Sequence, residues 1–179
     1  MKQHLKSLIK SLIKSLIKEA KVSRTELVRK HVFDTLAQME PLSDQVLNLS
    51  DLSGMDLSGG DFSGSDLSDS NIAKADLSDS DLSGCDLRGV DFSNSSLRAA
   101  NLSGANARSA DFSNADLREA QLNDANLASV TLTGAYLSGA DVRGTNFTQT
   151  DLRRVDFSGA IYDQNTKFPD DFDPEAAGL

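Results

Sequence analysis

The carboxylates and hydroxyls of this chain recur at a fixed spacing. Asp51, Asp56, Asp61, Asp66, Asp76, Asp81, Asp86 and Asp91 lie five residues apart or a multiple of five, and Ser53, Ser58, Ser63, Ser68, Ser78 and Ser83 follow two residues behind their acids. Two carboxylates in unlike surroundings can divide acid and base roles, and a serine beside a histidine can act as a nucleophile. Neither arrangement is expected here. The repeat gives each carboxylate the same setting on a convex surface, and His4 and His31 both lie outside the serine-rich stretch. Cys85 is the single cysteine, so no internal disulfide can form, and both histidines are far from it in sequence. The glycines fall on the same five-residue phase, which leaves no phosphate loop or dinucleotide fingerprint. The chain is therefore read as non-enzymatic, with no cofactor and no metal.

The element that must carry these side chains is the repeat itself. Of the 179 residues, 39% are hydrophobic and 6% aromatic, little for a layered core. From Leu47 onward every fifth residue is apolar, through Leu52, Leu57, Phe62, Leu67 and Ile72 to Phe157 and Tyr162, which makes 24 positions in unbroken phase. Two residues before each stands a small residue in most units, such as Ala75, Cys85, Ala105, Ala115 and Ala140, and one residue before stands Asp or Asn. Five helical steps advance about 140°, and five strand steps switch faces, so neither regular element puts these residues on one side. They converge only if the chain turns after every unit, with the apolar residue pointing to a common axis. That describes a solenoid. Ser, Asp and Gly at this density would otherwise suggest disorder, against which the strict phase argues.

Stretches such as Ala75-Asp76-Leu77-Ser78-Asp79 and Ala115-Asp116-Leu117-Arg118-Glu119 resemble the pentapeptide-repeat family. The resemblance covers about residues 42 to 162. It implies a mainly β fold, a right-handed quadrilateral β-helix in which four units make one square coil. About six coils would then give a rod on the order of 29 Å long at the spacing of stacked strands. Residues 20 apart would stack, Phe92 over Phe112, while Ala107 would interrupt a column and either leave a small void or make room for a neighbouring ring. Cys85, at the small inward position, reads as a buried hydrophobe.

Solenoid ends need covering. Ser23-Arg24-Thr25-Glu26 has capping-box spacing with Val22 and Leu27 as a staple, which predicts a helix from about Arg24 to Met39. Its stripe of Val28, Val32, Phe33, Leu36 and Met39 suits the first coil. Phe168, Pro169 and Phe172 suit the last. The expected division is residues 1–40 as a helical extension and cap, 41–162 as the β-helix, and 163–179 as a C-terminal cap. Within the first part, Lys6, Lys10, Lys14 and Lys18 alternate with Leu/Ile pairs, the pattern of a basic amphipathic helix that binds a membrane surface, a partner groove or itself, or packs as another cap. A targeting segment is a further alternative. No apolar run approaches the roughly 18 residues of a membrane span, so a bacterial, cytoplasmic location is expected, with peripheral membrane contact as the alternative.

The net charge of −9 divides unevenly: residues 1–40 hold nine Lys/Arg against four Asp/Glu, and the remainder nine against twenty-three. Residues 41–85 hold nine acids against Lys74, whereas residues 86–160 hold nine against seven arginines, so acidity looks concentrated in the first two coils. The candidate partner-binding residues are Asp56, Asp61, Asp66 and Asp76, together with Tyr136, an aromatic in the Asp position. Arg88 and Arg108 are expected on one face, Arg98 and Arg118 on the opposite one. The expected function is a protein–protein interaction or scaffold module working through the outer faces. One alternative, implied by the resemblance, is a DNA mimic that binds a type II topoisomerase such as gyrase and protects it from quinolones. A second is a peripheral membrane adaptor held by residues 1–20. Direct nucleic-acid binding is not expected of an acidic rod, and a homodimer stays open.

Overall fold

The computed structural model describes residues 24–37, 41–177 and 179. Lys6, Lys10, Lys14 and Lys18, the Ser23 cap and Met39 lie outside them. Helix α1, Arg24–Ala37, opens the described chain. From Leu42 onward the backbone turns every five residues, one unit earlier than the run that begins at Leu47, and Leu42 is as buried as its successors. Most units end in a four-residue turn closed by a hydrogen bond such as Met55 N to Leu52 O, 3.2 Å, while Gln45 N and Ser50 N reach the hydroxyls of Ser65 and Ser70 in the next coil. The third residue of the turn has positive φ, the geometry of a type II turn. Glycine fills it in units such as Leu52-Ser53-Gly54, but fourteen non-glycine residues adopt it too, among them Leu49, Ala99 and Glu119. Asp and Asn, six of the fourteen, adopt this backbone readily, but for residues such as Leu49, Ala99 and Glu119 it costs about 1–2 kcal/mol, so the coil imposes the turn on residues that would not choose it.

Parallel bridges join residues 20 apart: Asp56 to Asp76, Asp61 to Asp81, Asp66 to Asp86, Asn71 to Asp91. Twenty residues are four units, so each coil has four sides. Leu42 N donates to Asp61 O (2.7 Å) and Asp44 N to Ser63 O (2.8 Å), while Asp66 N reaches back to Gln45 O (2.9 Å). Each side pairs through a single residue, because the turn interrupts the chain before a longer ladder can form. Pairing among the described residues therefore consists of bridges rather than extended strands.

The apolar residue and the small residue two before it both face inward, and together they make one continuous core. Phe92 and Phe112 stack at 4.9 Å between centroids, tilted by 11°, as the 20-residue spacing predicts. Ala107 is fully buried in the neighbouring column. Where the small position is polar it is satisfied: Ser65 Oγ donates to Leu42 O (2.9 Å) and Ser95 Oγ to Phe92 O (2.6 Å). Cys85 Sγ sits 3.0 Å from Phe62 O, and burial pushes its thiol up to about 12.

Both ends are covered. Val28 and Val32 of α1 are buried in the core of the first coil. Carbonyls of that coil have no preceding coil to serve them, and Arg29 supplies donors, Nη2 to Ser53 O (3.0 Å) and Nη1 to Asp51 O (3.3 Å). At the other end the backbone of Lys167 pairs with Phe147 and Thr145 (2.7 and 2.9 Å), and Phe168 stacks on Phe147 at 5.9 Å. Phe172 lies 5.1 Å from Phe168 and 5.8 Å from Phe157.

Candidate functional site

With the interior filled, chemistry is left to the four outer columns. We number them as faces, each taken with the turn that follows it. Face 1 carries Asp61, Asp81, Asn101, Gln121, Asp141 and Ile161; face 2 carries Val46, Asp66, Asp86, Asn106, Asn126 and Asn146; face 3 carries Asp51, Asn71, Asp91, Asp111 and Thr131; face 4 carries Asp56, Asp76, Ser96, Asp116, Tyr136 and Asp156.

The bridge register sorts the candidates. Asp56, Asp76 and Tyr136 share face 4, Asp61 lies on the adjoining face 1, and Asp66 lies on face 2, opposite Tyr136. The four aspartates therefore do not form one site. Each also has a local task. Asp56 Oδ1 accepts from Ser58 N (3.1 Å) and Ser58 Oγ (2.6 Å), and Asp61, Asp66 and Asp76 hold Ser63, Ser68 and Ser78 in the same way. The Ser58 hydroxyl and amide hold the Asp56 carboxyl below its ordinary value. The acid thus closes its own turn with one oxygen and offers the other to solvent, a role that the expectation of a plain solvated ladder did not include. Tyr136 is 52% exposed, bridged between Asp116 and Asp156.

Charge sorts by face as well as along the chain. Face 1 and its turns carry Asp44, Asp61, Asp81, Asp124, Asp141 and Asp163 against Arg143. Face 4 carries Asp56, Asp76, Asp79, Asp116, Glu119 and Asp156 against Arg98 and Arg118. Face 2 sets Asp66, Asp69 and Asp86 against Arg88 and Arg108, Lys167 at its end being followed by Asp170 and Asp171, and face 3 sets Asp51, Asp91, Asp111 and Asp151 against Lys74, Arg153 and Arg154. Acidity is therefore carried to the last coil on two adjoining faces, although counting along the chain suggested that it fades.

Most arginines of the coils are committed to a carboxylate two residues earlier. Arg88 Nε meets Asp86 Oδ1 at 2.8 Å and its Nη2 meets Oδ2 at 2.6 Å, and Arg118 with Asp116, Arg143 with Asp141 and Arg153 with Asp151 repeat the fork. These guanidiniums hold the partner carboxyls below their ordinary value, Asp151 at about 2. Arg98 pairs with Glu119. Among the described residues no group of His, Cys, Asp and Glu could hold a metal, and no helix is long and apolar enough to cross a membrane.

Two family models match the chain, the pentapeptide repeat region over residues 55–132 and pentapeptide repeats (8 copies) over residues 120–159. No curated protein matches it. Among solved structures, a pentapeptide repeat protein of the Arabidopsis thaliana thylakoid lumen is 37% identical over 57% of this chain and 71% of that one, with a TM-score of 0.56. A pentapeptide repeat protein from the cyanobacterium Cyanothece 51142 is 34% identical over 57% of this chain and 63% of its own, with a TM-score of 0.31. The plasmid-mediated fluoroquinolone resistance protein QnrB1 is 24% identical over 65% and 81%, with a TM-score of 0.34. A five-residue unit with a buried apolar centre, four units to the coil and a similar thylakoid-lumen structure lead to one conclusion: the chain belongs to the pentapeptide-repeat family.

Proposed function

We propose that the chain is a right-handed quadrilateral β-helix that works, without catalysis, as a protein–protein interaction or scaffold module through its outer faces. The observation that carries this reading is the sorting of charge. A coil built only to be soluble has no need to place most of its excess carboxylates on two adjoining faces and to leave the other two nearer balance. The coil also holds these side chains on backbone that is paired above and below, so a partner meets a surface already ordered and little entropy is lost on docking. Tyr136, an amphipathic ring at the fifth of the six positions of face 4, supplies an anchor of the kind that interfaces use. The preferred partner carries basic groups opposite faces 1 and 4.

The test places one photo-crosslinking residue on each face of the full chain, at Gln121, Asn126, Asp111 or Tyr136, and irradiates it in cell lysate. Adducts of one defined mass from positions 121 and 136, and not from 111, are the expected outcome. No adduct from any face, or equal adducts from all four, overturns the reading.

The same two faces favour a second reading, a protein mimic of duplex DNA that binds a type II topoisomerase, because their carboxylates run through all the coils. Inhibition of supercoiling by the full chain, reduced on charge reversal at Asp56 and Asp76, is its expected outcome. No inhibition at micromolar protein ends it.

A further inference from the structure

One unit of the coil departs from its neighbours in a way that leaves a charged group unused. In Asp86-Leu87-Arg88, Asp116-Leu117-Arg118, Asp141-Val142-Arg143 and Asp151-Leu152-Arg153 the arginine closes a fork on the aspartate two residues before it. In Asn106-Ala107-Arg108 the acid is replaced by an amide. The Arg108 side chain makes no hydrogen bond or ion pair among the described residues and is exposed on face 2, while its backbone carbonyl accepts from Gly89 N (3.1 Å). Asn106 Oδ1, which in Asn101, Asn126 and Asn146 accepts the amide two residues on, is buried here without a partner. The unit has therefore lost both internal uses of its polar pair.

Arg108 does not stand on a flat wall. With Arg88, Ser68, Asp69, Gly89 and Ser109 it lines a shallow depression of about 340 Å³. Gly89 sets the floor, since a Cβ there would meet Asp69 Oδ1 at 2.5 Å. We propose that this depression is a docking site for a carboxylate side chain of a partner protein, with Arg108 as its recognising group. The charges around it select the ligand. Arg88 is already engaged by Asp86, so Arg108 is the guanidinium of the depression whose fork is open, and Asp69 on the same lining limits the occupant to a single negative charge. A planar monoanion matches the guanidinium fork in shape and charge. A phosphate dianion would add a second charge close to Asp69 with nothing to offset it. Asp69 also gives the occupant an acceptor, which suits an acidic residue followed by an amide or hydroxyl donor.

The proposal rests on the interaction reading and adds to it an acid-recognising contact on a face less acidic than faces 1 and 4. It predicts that restoring the acid would close the site. Asn106→Asp reproduces the Asp-x-Arg fork of four other units, so the fold accepts it, and Arg108 would turn inward onto the new carboxylate.

The experiment follows the arginine side-chain Nε–Hε signals of the full chain by NMR during titration with a blocked Gly-Glu-Gly-Ser peptide, its Gly-Gln-Gly-Ser counterpart and inorganic phosphate. The expected result is a saturable shift of the Arg108 signal and of the Gly89 and Ser109 amides with the Glu peptide alone. Arg108→Gln should abolish the amide shifts, and Asn106→Asp should weaken binding at least fivefold. Equal shifts with the Gln peptide, a stronger response to phosphate, or unchanged binding by Asn106→Asp overturns the proposal. None of these results depends on the crosslinks from positions 121 and 136, so this site and the general reading fail separately.

Discussion

The inside and the outside of this coil obey the same five-residue rule with very different strictness. Inside, the apolar position is held by Leu, Ile, Phe, Val or Ala in every coil, and every one of these side chains from Leu42 to Phe157 is buried. Outside, the position one residue earlier passes from Asp to Asn, Ser, Gln, Thr, Tyr and Ile, and the bridges continue through nearly all of these exchanges, Thr131 pairing with Asp111 and not with Asp151. The contrast shows where each kind of information sits. The interior has one solution because an unfilled axis costs packing energy. The exterior is free to vary because the bridges are made by backbone, so its residues can be chosen for a partner.

Phe112→Ala tests the strict side and has the largest expected effect. It removes one ring of the Phe92–Phe112 stack and should lower stability by about 3–5 kcal/mol, read from denaturant unfolding. A loss below about 1 kcal/mol would mean that the interior tolerates change as the exterior does. Unfolding can be followed independently through Cys85, whose thiol, raised to about 12, should resist disulfide reagents at pH 8 until the coil opens.

Arg29→Ala tests the boundary between the two regions, where an exposed side chain serves interior backbone. Two carbonyls of the first coil lose their donors, and the expected cost is about 1–2 kcal/mol. Hydrogen exchange should quicken in the first coil and stay unchanged around Phe147. A uniform change along the coil would assign the end no separate stability.

Acid titration tests the outside alone and should have the smallest effect. Asp86, Asp116, Asp141 and Asp151 have carboxyls held below the ordinary value by their arginines, Asp151 at about 2. Because the folded values lie below the unfolded ones, the stabilisation is complete above about pH 4 and is lost as pH falls towards about 2. These pairs are exposed and screened, so melting temperature should fall by only a few degrees between pH 6 and pH 3, and less in high salt. A steep collapse over that interval, unaffected by Asp151→Asn, would assign the acid sensitivity to other groups.

The amino-acid sequence by itself determined the unit, the inward residues and the closure of the ends. Leu47 to Tyr162 could be assigned to an axis because a five-residue period fits neither helix nor strand, and Phe168 and Phe172 could be placed at an end because aromatic residues after the last unit have an open core to cover. The solvent-side roles were less legible. The spacing of Asp56 and Ser58 gave no sign that the carboxylate closes the turn, since that depends on the direction of a side chain. The count along residues 86–160 hid the two acidic faces, since neighbours in sequence lie on different sides.

The backbone bridges of the tertiary structure fixed which carboxylates stand together, in the 20-residue register that the family resemblance implied. The 20-residue register put Asp56, Asp76 and Tyr136 on one face and turned Asp66 to the opposite one. It also decided that Arg108 is unpaired while Arg88 beside it is engaged. The physical reason is that burial follows from the local alternation of apolar and polar residues, which the chain carries within every five positions. Pairing between side chains depends on distances across coils, and these are set only when the whole backbone has closed.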